Sequence, residues 1–210
     1  MVLGPWSVNP AWQNFSSLYR EAQTAIEAPT EMEKSHHLTA ALYFGIATLE
    51  TFLNDQMRAH LSPTKSSDEV LQVLRNGRFS DKVSKWPTAI LQKPLPIGAA
   101  ALDLLALCNE VRGHLTHPKG HSRDVYDRLL EVEPMSFVDA VGQFIACFHE
   151  AQQPRYPYWL FGWNYLNPRP KKHEIILIND QQFCHSISAL GLDVPGSCPI
   201  AWCRSTARKG

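Results

Sequence analysis

The chain has 210 residues, with 20 Lys and Arg balanced by 20 Asp and Glu, so its formal net charge is zero. That balance excludes a general polyanion binder, and any nucleic-acid contact must come from a local patch or a cleft between copies. Asp103 interrupts the longest apolar stretch well short of a membrane span, so no membrane association is expected.

Other bulk features bear on location. The Met1–Trp6 start lacks the charged and apolar regions of a secretory signal. Cys108, Cys147, Cys184, Cys198 and Cys203 are odd in number, scattered and free of any C-x-x-C pair, the pattern of a reduced, cytoplasmic protein.

In chain order, Asn9-Pro10 is an N-cap followed by a first-turn proline. Trp12, Phe15, Tyr19, Ala22 and Ile26 then recur at helical spacing up to Pro29. Thr30 with Glu33 is a capping box for a long second helix. Its stripe runs Leu38, Leu42, Ile46, Leu49, Leu53 and Met57 and stops before Pro63, with Tyr43, Glu50 and Asn54 along one border. Shorter helices are expected at 67–74 and at 80–92, the latter interrupted at Pro87.

A further helix spans about 98–116, and its apolar first half predicts the most buried helix of a bundle. Ser122 caps a helix to about Val132, and Pro134-Met135-Ser136 opens one with Phe137, Val141, Phe144, Ile145 and Phe148 on one face. Short loops between these segments predict antiparallel neighbours. The fold expected is therefore mainly α: an antiparallel helical bundle over 8–152, with a small α+β extension over 153–210 packed on it.

That extension is aromatic-rich, with Tyr156, Tyr158, Trp159, Phe161, Trp163 and Tyr165 close together. A strand is expected at 174–178, a helix from Asp180 to Leu190, and a second strand at 200–203. Lys171 and Lys172 are weak candidates for nucleic-acid contact.

The chemistry concentrates at Arg112-Gly113-His114-Leu115-Thr116-His117, followed directly by Pro118. An arginine that holds phosphate and an imidazole that moves a proton suffice to cut RNA without a metal, because the 2′-hydroxyl belongs to the substrate. On a continuous helix, residues 112 and 117 lie roughly 140° apart. The residue before proline leaves the α region, so His117 is expected where the helix breaks, free to turn back toward Arg112. Asn109, Arg112 and Thr116 share a face, beside an apolar stripe of Leu104, Cys108, Val111 and Leu115. Glu110 points away from Arg112 and is expected to pair with His114. Gly113 costs about 1 kcal/mol in mid-helix relative to alanine and would allow close approach of a helix or a nucleotide backbone.

Taken together, the stretch Ala40–Asn54 and the stretch Glu110–Pro118 resemble the HEPN superfamily, helical bundles with an R-x(4–6)-H motif. The likeness lies within residues 30–118; the extension is outside it. The resemblance implies a metal-independent endoribonuclease of toxin or defence type, needing no cofactor, with Arg112 and His117 as the catalytic pair. It implies Glu50 and Asn54 as polar support from the neighbouring helix, and a homodimer whose motifs line one cleft. A cognate antitoxin or defence-system protein is the implied protein partner, and RNA the substrate. Gly113 stands where the family often carries a polar residue.

Two other readings remain open on the residues alone. One is a non-catalytic scaffold or RNA-binding domain in which Arg112 is tied to Glu50 or Asn54. The other uses His114, His117 and His121 as metal ligands, although Pro118 and Gly120 break the helix that would align them.

Overall fold

Pro10 opens α1 (Pro10–Glu27), where its missing N–H is no loss because first-turn donors have no intrahelical acceptor. The computed structural model describes residues 10–117 and 124–152. Expectations for Asn9, for Ser122, for Lys171 and Lys172 and for the whole extension at 153–210 lie outside those residues. On α1 the buried face is Ala11, Phe15, Leu18, Ala22 and Ala25. Ile26, expected in the stripe, is instead half exposed.

Three residues separate α1 from α2 (Glu31–Leu61). Thr30 starts α2 by accepting the Glu33 N–H at 3.2 Å. Every residue of the expected α2 stripe is buried, from Leu38 to Met57. Glu21 Oε2 meets His37 Nδ1 at 2.8 Å, two positions equidistant from the connecting loop, so α1 and α2 form an antiparallel hairpin.

α3 (Ser67–Asn76) carries a complete capping box between Ser66 and Glu69 and ends slightly later than expected. The segment after it divides into α4 (Phe79–Ser84) and α5 (Trp86–Leu91). The division falls at Lys85, not at Pro87. Pro87 sits in the first turn of α5, where a proline removes no helical hydrogen bond. α6 (Ala99–Thr116) and α7 (Asp124–Leu130) precede α8 (Pro134–Gln152).

The expectation that α6 is the most buried helix is corrected by the structure. Only Leu105, Cys108 and Val111 of α6 are buried, while Leu104 and Leu115 are half-buried. That place belongs to α8, with Phe137, Val138, Val141, Phe144, Ile145, Ala146 and Phe148 almost wholly enclosed. The first half of α6 is apolar nearly all round, so composition alone does not choose its inner face there.

α2 is the central element, touching α1 and each helix from α3 to α8. Gly45 of α2 faces Phe137 of α8, and the rings of Phe52 and Phe148 meet edge to face at 5.3 Å between centroids. Both sequence positions increase together, so α2 and α8 run in the same direction with α1 opposed to them. The described residues are helical throughout their regular structure, and among them no helix is long and apolar enough to cross a membrane.

Candidate functional site

His117 ends α6 with φ −130° and ψ 71°, outside the helical region, while its N–H still donates to Gly113 O at 2.9 Å. The break before Pro118 thus falls where the sequence places it. The imidazole of His117 is exposed.

Upstream, Arg112 is half-buried. Its Nη2 donates to Asn109 Oδ1 at 3.1 Å, one turn back on the same helix. Its Nε is enclosed without a hydrogen-bond partner. Among the described residues no carboxylate lies within ion-pair distance of this guanidinium. An arginine whose only side-chain partner is a neutral amide keeps its full positive charge available for an anion. A buried N–H without an acceptor is also uncommon enough to require a reason.

Thr116 completes the expected face. Its hydroxyl accepts from or donates to Tyr43 at 2.7 Å and bonds to Arg112 O at 2.8 Å. A carbonyl can only accept, so the single Thr116 proton goes to Arg112 O. Tyr43 is therefore the donor to Thr116, and a directed chain runs from Tyr43 through Thr116 to Arg112. It ties α2 to the last turn of α6.

The polar support implied for Glu50 is not what the structure holds. Glu50 Oε1 lies 3.8 Å from Nζ of Lys82 on α4, whose side chain is 6% exposed. Lys82 also stands over the ring of Trp86, 5.3 Å from its centroid. A buried ammonium attracts the nearest carboxylate more strongly than a more distant, wetter guanidinium does, and Glu50 is engaged there. Asn54 Oδ1 is buried without a hydrogen-bond partner, so neither α2 residue is bonded to Arg112. Among the described residues, then, Arg112 is tied to Asn109 and to neither Glu50 nor Asn54.

Lys82 escaped the sequence reading, although a signal was present. Phe79, Lys82 and Trp86 recur at spacings of three and four, which puts the lysine on the inward face of its segment.

Glu110 behaves as expected toward His114, with Oε1 3.6 Å from Nε2. A stronger partner comes from α7, where Arg128 Nη1 donates to the same oxygen at 2.9 Å. Arg128 holds the Glu110 carboxyl below the usual carboxylate range, with His114 contributing less. His114 is thereby directed away from Arg112. Among the described residues no three metal-ligating side chains gather at one point, and His121 lies outside them.

Two further details define the surface. A Cβ built on Gly113 would meet nothing within 4 Å, so the helix is open at that position. Cys108, one turn before Arg112, belongs to the core, and burial pushes its thiol up to about 12.

Comparison with protein families, with curated proteins and with solved structures gives no match for this chain.

Proposed function

We propose that the exposed end of α6 is an RNA-cleaving site of HEPN type, with Arg112 and His117 as its reacting groups. One observation carries this reading: among the described residues Arg112 has no carboxylate partner, and its one side-chain hydrogen bond goes to the neutral amide of Asn109. A phosphate oxygen would satisfy that charge.

In the proposed reaction the 2′-oxygen attacks the adjacent phosphorus and the bond to the 5′-oxygen breaks. His117 takes the 2′ proton as general base, and water or His117 of a second copy protonates the leaving oxygen. Arg112 stabilises the charge that builds on the phosphorane oxygens. The products are a 2′,3′-cyclic phosphate and a 5′-hydroxyl, and no step requires a bound cofactor. A toxin or defence role, with a cognate inhibitor protein, fits an enzyme that destroys its own cell's RNA.

The test is incubation of a long RNA with purified protein in EDTA, followed by end-group analysis. Cyclic-phosphate ends with wild type, and their loss with Arg112→Ala and His117→Ala, support the reading. Equal cutting by all three proteins removes it.

A second reading, an assembly domain, is favoured by the outer side of α6. Ala99, Ala100 and Ala106 are exposed, and Leu102, Leu104 and Leu107 only half-buried. Such a surface suits a second copy of the chain, and the composite cleft of the first reading needs the same pairing. A dimer in sedimentation without RNA cleavage would leave only this second role.

A further inference from the structure

We propose that Tyr43 is a base-stacking platform beside the Arg112–His117 pair, and that the substrate is consequently single-stranded or looped RNA. This rests on the nuclease reading and names its substrate class. The observation behind it is the position of an exposed aromatic ring. Tyr43 is 39% exposed, one of four large hydrophobic side chains left open among the described residues. No described ring packs against it.

Its hydroxyl, by contrast, is held. Tyr43 donates to Thr116, and Thr116 donates to the carbonyl of Arg112, so the ring stands two hydrogen bonds from the arginine. Thr116 also directly precedes His117. The bond to Thr116 ties α2 to α6, and it also fixes where the ring stands. A tyrosine that must present its ring in one orientation gains a preorganised surface, because a held side chain loses less entropy on binding.

Gly113 adds room. With no side chain there and open space beyond it, a sugar and base can approach α6 at Gly113, next to Arg112 in the chain. Only an unpaired base offers its face to a protein ring, since paired bases stack on their neighbours within the duplex. Stacking on an aromatic side chain tolerates any base, so the platform selects for strandedness and not for sequence.

The experiment uses a non-cleavable 2′-O-methyl RNA of about ten nucleotides, within the size of single-strand sites, carrying 2-aminopurine at successive positions. Binding and fluorescence quenching are measured for the full chain and for Tyr43→Phe, Tyr43→Leu, Gly113→Leu and Arg112→Ala. Wild type is expected to bind the single strand and quench one position, with a blunt duplex binding far less. Tyr43→Leu should abolish that quenching and weaken binding about five- to hundredfold. Tyr43→Phe keeps the ring and should keep the quenching, which separates stacking from a purely structural hydrogen bond.

If Tyr43→Leu binds and quenches as wild type does while Arg112→Ala fails to bind, the platform is overturned and the nuclease reading stands. If binding depends on Tyr43 but wild type leaves cleavable RNA intact, the platform stands and the nuclease reading falls. Absence of any binding by wild type overturns both.

Discussion

Gly45 of α2 lies directly against the ring of Phe137 in α8, with no space for even one added methyl. This contact sets how closely two parallel helices approach at the centre of the molecule, and Phe137 is itself 1% exposed and unable to retreat. Gly45→Ala is therefore expected to destabilise the fold by about 1–3 kcal/mol through overpacking, despite alanine's better helix propensity. Gly113→Ala is the matched control, since its new methyl meets nothing. It should be neutral or stabilising by up to about 1 kcal/mol. Urea unfolding of the two variants beside wild type checks both signs.

The nuclease reading requires loss of activity without loss of fold. Removing a donor that stabilises developing charge costs about 100- to 1000-fold in rate in comparable sites, and Arg112→Ala should lose at least that much. His117 is exposed, so His117→Ala should alter unfolding free energy by less than about 0.5 kcal/mol. Arg112→Lys restores charge but not the planar fork, and should recover little. Cleavage rates and thermal melts on the same preparations test this.

The pairing of Glu50 with Lys82 predicts a stability phenotype in place of a catalytic one. Glu50→Gln leaves the enclosed ammonium without its counter-charge and should cost about 1–3 kcal/mol, less than a fully buried pair because the carboxylate is partly wet. Lys82→Met retains the packing over Trp86 and removes the charge, so it should rescue Glu50→Gln. A double-mutant cycle in urea measures the coupling. Zero coupling would dismiss the pair.

Two ionisable groups give opposite pH dependences. Burial pushes the His149 imidazole down to about 4. Above its ordinary value near 6.5 both states are neutral and nothing is lost. As pH falls from 6.5 toward 4 only the unfolded chain gains the proton, so stability falls by about 3 kcal/mol at most. Burial, with Glu133 adding to it, raises the Asp139 carboxyl to about 6. Its ionised form is a burden at neutral pH that is relieved as pH falls from about 6 toward 4. His149→Gln should flatten the acid loss. Asp139→Asn should stabilise the protein at pH 7 and have little effect near pH 4. Unfolding midpoints across pH 4–8 distinguish the two contributions.

Much of the local structure was legible in the residues. Thr30 and Pro134 start helices where the sequence places them, and His117 ends one where Pro118 forbids its continuation. The stripes of α2 and α8 read correctly because their large apolar side chains recur at helical spacing. The face of Asn109, Arg112 and Thr116 was legible for the same reason, since residues three and four apart must meet on a helix.

What lay beyond the sequence involves distant residues or ambiguous faces. The first half of α6 is apolar nearly all round, so only packing against α2, α7 and α8 decided that Leu105, and not Leu104, would be enclosed. For Glu50 the sequence suggested only Arg112, and its pairing with Lys82 depends on where α4 docks, which no local pattern encodes. The same holds for Tyr43, whose position on α2 was plain but whose bond to Thr116 joins residues 73 apart in the chain. Caps and periodicity are short-range and are written in neighbouring residues. Partner choice, by contrast, is settled by desolvation and geometry after the helices have met.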